Sequence, residues 1–143
     1  MRSSVPSALA NPMEPAAPAR PTPTDVADPG LAGWLRDATA IELDALPFGV
    51  ISMALDATVE HYNTVEGQLA GLTPSRVVGR SFFTSVAPCM NNAMVAHRFA
   101  SEDDLDAVID YVLTLRMAPK RVRLRLLKPS GARRMYLAVE RRA

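Results

Sequence analysis

The sequence predicts an α+β domain: two strands, several short helices, then three strands, the strands forming one five-stranded antiparallel sheet. Two observations carry this reading. In residues 105–116, LDAVIDYVLTLR, the side chains Leu105, Ala107, Ile109, Tyr111, Leu113 and Leu115 fall on odd positions, and Asp106, Asp110, Thr114 and Arg116 on even ones. A period of two means a strand with one buried face. From Asn63 to about Phe99 the pattern is instead helical, in pieces closed by Gly71 and Gly79. Short helices in a long middle connection must cross one face of the sheet, which creates a pocket between helices and sheet.

Taken in order, residues 31–46, LAGWLRDATAIELDAL, place Leu31, Trp34, Leu35, Ala38, Ile41 and Leu46 near helical spacing. They read as one or two short amphipathic helices that pack Trp34 against the domain as a small N-terminal cap. Pro47 stops that pattern. FGVISMAL (48–55) and VEHYN (59–63) are short strands joined by a turn at Asp56-Ala57-Thr58, a candidate hairpin. Asn63 or Thr64 caps TVEGQLAGL with Glu66 in its first turn, and Gly71 ends the helix. Thr73-Pro74-Ser75 starts another turn of helix. SFFTSVAPC is irregular, and Asn91 or Asn92 caps a helix running to about Phe99. After the first long strand, Met117-Ala118-Pro119 makes a turn. KRVRLRLLK then alternates Val122, Leu124 and Leu126 with Arg121, Arg123 and Arg125. Pro129-Ser130-Gly131 turns again into RMYLAVER, with Met135, Leu137 and Val139 on one face.

The chain has 143 residues, enough for one domain. Seven of its twelve prolines fall before residue 30. That Pro/Ala-rich stretch has no apolar period and is expected to be a disordered tail over 1–30, leaving 31–143 as the folded unit. It lacks the apolar core of a signal peptide, and no later run is long enough to span a bilayer, so a cytoplasmic protein is expected. The formal net charge of +1 points to no particular partner. Glu102, Asp103, Asp104, Asp106 and Asp110 form an acidic block, while Lys120, Arg121, Arg123, Arg125 and Lys128 begin a basic end. Only Tyr136 interleaves that end, which argues against nucleic acid and for two solvated strand faces of opposite sign. One cysteine excludes an internal disulfide, and no metal-ligand spacing is present.

Chemistry concentrates in residues 60–90. Tyr62 and Glu66 lie four residues apart, Phe82 and Phe83 are adjacent, and the single cysteine, Cys89, follows Ala87 and Pro88. A lone cysteine is ordinarily a small buried hydrophobe. A thiol, a phenol and a carboxyl close together can instead hold and tune a small covalent ligand. His61 and His97 read as surface residues; His61 and Tyr62 point to opposite faces of their strand.

The segments LPFGVI (46–51), HYNTVEG (61–67), VVGRSFF (77–83), VAPC (86–89) and RMAPKRVRL (116–124) together resemble the photoactive yellow protein family, whose fold is the PAS fold. The resemblance covers about residues 44–143. It implies p-coumaric acid (4-hydroxycinnamic acid) joined to Cys89 by a thioester, and a blue-light photocycle begun by isomerisation of its double bond. It implies that Tyr62 and Glu66 hydrogen-bond the phenolate oxygen, that Met117 covers the chromophore, and that the backbone at Cys89 contacts the thioester carbonyl. Phe82, Ala87 and Pro88 complete the expected binding residues. Ala70 stands where the family usually has a threonine, Leu72 where an arginine is common, and Leu115 where many members have a tyrosine. A shifted absorption maximum and altered recovery are expected from these differences.

In the resulting scheme Glu66 is neutral in a largely apolar pocket, because desolvation raises a carboxyl pKa. Proton transfer to the phenolate would leave a buried charge, and partial unfolding would follow as the signal. The expected function is therefore photosensory rather than enzymatic, as a monomer or weak dimer acting in trans on a signalling partner. Neither nucleic acid nor membrane is expected as a partner. Two alternatives stand beside it: a module of the same fold that has lost the chromophore and binds another ligand or partner, and an enzyme using Cys89 for acyl-thioester chemistry with Glu66 as acid or base.

Overall fold

The computed structural model describes residues 21–115 and 118–141. Two short helices, α1 (Leu31–Arg36) and α2 (Ala40–Asp44), precede the hairpin β1 (Gly49–Ala54) and β2 (Val59–Tyr62). Helices α3 (Thr64–Ala70), α4 (Pro74–Val77) and α5 (Ala96–Ser101) form the middle connection, and β3 (Leu105–Leu115), β4 (Ala118–Lys128) and β5 (Arg134–Arg141) complete the sheet. Its strand order is β2-β1-β5-β4-β3, antiparallel throughout. This is the α+β architecture expected.

Both faces of the sheet are covered. Ile51, Met53, Val122, Leu124, Leu126, Met135, Leu137 and Val139 pack under the middle helices with Phe82, Phe83 and Phe99. Val50, Leu127, Tyr136 and Ala138 pack under the N-terminal cap with Leu31, Trp34, Leu35 and Leu43. Double coverage explains why β1 and β5 read as near-continuous apolar runs rather than clean alternations. Ile41, expected on the buried stripe of the cap, is instead exposed, because α2 is only five residues long and buries Leu43 alone.

Three further expectations are corrected. The helix after Asn92 begins at Ala96: the Asn92 side chain accepts from the backbone N–H of Met94 and Val95, which caps a turn and delays the helix. Ala118 and Pro119 belong to β4, paired with Leu115 and Thr114, rather than to a turn; Met117 lies outside the described residues. The acidic and basic strand faces are not simply solvated. Arg125 is buried, clasping Asp106 through Nε at 2.6 Å and Nη2 at 3.0 Å. Its Nη1 donates to the carbonyls of Val26 and Asp28, both at 2.8 Å. Arg123 adds a bond to Asp25 at 2.7 Å, and Val26 is fully buried. Packing therefore begins before Leu31, because a buried guanidinium needs acceptors that this N-terminal segment supplies.

The middle connection is anchored by Asn63. Its carbonyl accepts from the N–H groups of Val50 at 3.0 Å and Glu66 at 3.1 Å. Its amide donates to the carbonyls of Leu43 at 2.9 Å and Phe48 at 3.0 Å. One fully buried side chain thus caps α3 and joins it to β1 and to the end of the cap. At the other end of α3, Gly71 takes φ 73°, the left-handed closure glycine adopts without strain. Asn63→Ala is expected to lower stability by about 3 kcal/mol, since it orphans several buried groups at once. Urea unfolding checks this; a loss of only a few tenths would show that water replaces the side chain.

Candidate functional site

Tyr62 ends β2 and Glu66 occupies the first turn of α3, so the cap residue between them sets their spacing. Both side chains are almost completely buried, 3% and 4% exposed, and each influences the other's proton affinity. The Glu66 carboxyl lies directly over Gly49 of β1. A β-carbon at residue 49 would collide with Glu66 Oε1 and stand 3.0 Å from its Cδ and 3.1 Å from its Cβ. Glycine is required there because the carboxyl rests against the strand backbone.

A third charged group enters from β5. Arg141 lies two residues beyond Val139, on the same face. Its Nη1 donates to Glu66 Oε1, and its Nη2 donates to Oε2 at 3.2 Å. The two side chains are 17% and 5% exposed. This corrects the expectation of a largely apolar pocket around Glu66. Burial pushes the Glu66 carboxyl above its ordinary range, while the Arg141 hydrogen bond and charge and the Tyr62 hydrogen bond oppose that push. Burial, aided by Glu66, pushes the Tyr62 phenol far up, with Arg141 opposing. Tyr62 is therefore a firm donor at physiological pH.

Cys89 sits in a single turn, Pro88–Met90, half-buried. The turn is held from both sides. Before it, Phe82–Val86 forms one wide turn whose end is fixed by Ala87 N–H donating to the Phe82 carbonyl at 2.7 Å. After it, Tyr111 Oη donates to the Cys89 carbonyl at 2.8 Å, and Asn92 Nδ2 donates to the same oxygen at 3.2 Å and to Tyr111 Oη at 2.7 Å. Phe82 and Phe83 meet edge to face at 5.0 Å, and Phe83 stacks obliquely on Phe99 at 6.0 Å.

Of the expected site residues, Tyr62, Phe82 and Ala87 belong to one apolar cluster, and Cys89 packs against it. Glu66 joins them through Tyr62. Pro88 lies on the surface, and Met117 is outside the described residues. His61 bonds Asp44 at 3.1 Å and His97 is exposed, while Arg98 is engaged by Glu102 at 2.8 Å. The sequence reading missed Arg141, Tyr111, Asn92 and Gly49 as parts of the site. A signal existed for Arg141: the alternation that faces Met135, Leu137 and Val139 inward continues to residue 141, but the surrounding basic run read as a solvated end.

A sheet of this order with short helices over one face defines a PAS-type sensory domain, and solved structures agree. The photoactive yellow protein domain of the sensor histidine kinase Ppr from Rhodospirillum centenum superposes with a TM-score of 0.69 at 37% identity, covering 76% of this chain and 97% of that one. The PAS domain of an HTR-like protein from Haloarcula marismortui shares the fold, with a TM-score of 0.57 at 18% identity over 78% of this chain and 97% of that one. No family model matches the chain. Among curated proteins, photoactive yellow protein of Rhodothalassium salexigens is 30% identical over 110 residues, 75% of this chain and 88% of the relative. That of Halochromatium salexigens is 31% identical over 90 residues, 61% and 72% of the two chains. The chain belongs to the photoactive yellow protein family. It is accordingly a sensory domain of a photoreceptor family and not an enzyme. Among the described residues no helix is long and apolar enough to cross a membrane.

Gly49→Ala is expected to destabilise the domain by about 1–3 kcal/mol, the usual range for overpacking, by expelling the Glu66 carboxyl. In a Glu66→Ala background the same change should cost clearly less. A double-mutant cycle in urea tests the contact; additive costs would show that Gly49 serves the strand and not Glu66.

Proposed function

We propose that the chain is a blue-light photoreceptor holding p-coumaric acid as a thioester on Cys89, with Tyr62 and Glu66 binding its phenol oxygen. One observation carries this reading: a buried phenol, Tyr62, lies in the apolar cluster against which the chain's single cysteine packs, and a buried carboxyl, Glu66, interacts with it. The donor set fits the group. Tyr62 is a permanent donor, Glu66 can give or take a proton, and the Cys89 thiol is half-buried beside the aromatic cluster. When bound, the chromophore supplies visible absorption and a double bond that isomerises.

The protein's part is positional and electrostatic. Phe82 and Ala87 wall the site, Pro88 stiffens the attachment turn, and Tyr111 with Asn92 prevents the Cys89 carbonyl from swinging. Met117 is proposed as a cover from the β3–β4 turn. Glu66 holds a proton at its carboxyl oxygen in the dark and gives it up after light. The carboxylate so formed has Arg141 within reach, so the change passes to the end of β5, where local packing rearranges. A signalling partner reads that altered surface.

Reconstitution of the full chain with activated p-coumarate is expected to give one coumaroyl mass and an absorption band that bleaches and recovers after blue light. Cys89→Ser should lose both mass and band. A folded protein that forms no adduct would transfer the reading to a PAS module for another ligand. Ala70, at the buried end of α3, stands where the family usually has a threonine; Ala70→Thr is expected to shift the absorption maximum and the recovery rate. Unchanged spectra and kinetics would remove that residue from the tuning of the site.

A further inference from the structure

Among the described residues Arg141 is the one group at this site that carries a permanent positive charge, and it touches both oxygens of Glu66. Among the described residues the groups facing the Glu66 carboxyl are Tyr62 from β2 and Arg141 from β5; β1 contributes Gly49, which has no side chain. A guanidinium has only donors, and Tyr62 donates as well, so every partner of the carboxyl asks it to accept. A carboxylate satisfies all of them, whereas a protonated acid would turn one O–H toward a donor. Desolvation is the largest influence on the carboxyl and works the other way, toward the neutral acid; the contact of Arg141 with both oxygens is the geometric ground for the anion.

Resting on the function proposed above, we infer that Arg141 sets the proton count of the site: it keeps Glu66 a carboxylate before a phenol enters, and leaves one proton to be shared between Glu66 and the phenol oxygen afterwards. The charges decide this. Before loading, Glu66 carboxylate and Arg141 sum to zero. A phenol brings its own proton. With Arg141 charged, the site is neutral when one proton lies on either the phenol oxygen or Glu66. Two protons would leave the buried guanidinium uncompensated, and none would leave a second buried anion; both are costly. In loading, the Cys89 S–H bond breaks and its sulfur bonds the cinnamoyl carbonyl carbon. The bond from that carbon to the leaving thiol breaks, and the thiol departs carrying one proton. The phenol proton stays in the site. Arg141 is thus a positioning residue for the proton rather than a group that touches the reacting thioester.

The first test needs no chromophore. Infrared difference spectra of the full chain against Glu66→Gln at neutral pH should show a carboxylate and no protonated-acid carbonyl stretch. Arg141→Gln should show about one protonated acid per chain, and Arg141→Lys should restore the carboxylate. A protonated Glu66 in the unaltered protein, or a carboxylate that persists in Arg141→Gln, would overturn the inference. If Arg141→Gln does not fold, the unaltered and Lys proteins still decide it. The second test loads the unaltered protein with the N-acetylcysteamine thioester of p-coumarate in weak buffer with a pH indicator. No net proton should be released or taken up per adduct; a change of one proton in either direction would refute the shared-proton count. Absence of an adduct would sink the photoreceptor reading itself, while the infrared result would still settle the role of Arg141.

Discussion

The buried Asn63 amide is the interaction on which the rest of the site depends. An asparagine side chain has two acceptor and two donor positions, and here the four are used. Two of its partners are backbone groups at the start of β1, Phe48 and Val50, one ends the cap, and one is the first-turn N–H of Glu66 itself. Because the same residue separates β2 from α3, the hydrogen bonds that stop the strand also aim the helix. Tyr62 and Glu66 therefore reach the sheet from different elements yet meet, and Gly49 leaves the space in which they do so.

The two faces of the sheet solve different problems. Among the described residues the inner face is largely apolar, with Tyr62, Glu66 and Arg141 as its polar corner, and the aromatic cluster of Phe82, Phe83 and Phe99 lies beside the turn that carries Cys89. The outer face is closed by the N-terminal cap, and Arg125 ties the cap to β4 through backbone carbonyls as well as Asp106. A guanidinium with its donors met in this way can be buried without an orphaned polar group. The same residue type plays both parts: Arg125 secures the cap, and Arg141 supplies charge to the site.

A carboxyl in this position is pulled two ways. Removal from water favours the neutral acid, and the guanidinium favours the anion. Breaking a buried ion pair by removing one partner commonly costs about 3–5 kcal/mol, so neither member is neutral with respect to folding. That tension suits a sensory domain. A group held between two protonation states responds to a small change nearby, and its cationic partner belongs to β5, which lies at the centre of the sheet.

Much of this was legible in the sequence, for local reasons. Period-two runs announced the three long strands, Asn63 and Gly71 marked the ends of α3, and the motifs from Leu46 to Cys89 identified the family. The misreadings also have local causes. Ile41 fits a helical stripe, but a five-residue helix cannot bury a whole stripe. Arg123 and Arg125 looked like solvated charges because the partners that draw them into the cap are nearly one hundred residues away, in a segment whose proline content read as a tail. Tyr111 and Asn92 gave no sign of meeting at the Cys89 carbonyl. The sequence by itself determined which elements form and which chemical groups the site can contain, because helix caps, turn residues and strand periods act between near neighbours. Only the tertiary structure decided the electrostatic character of the site: Arg141 is seventy-five residues from Glu66, and sheet order alone brings the guanidinium to the carboxyl.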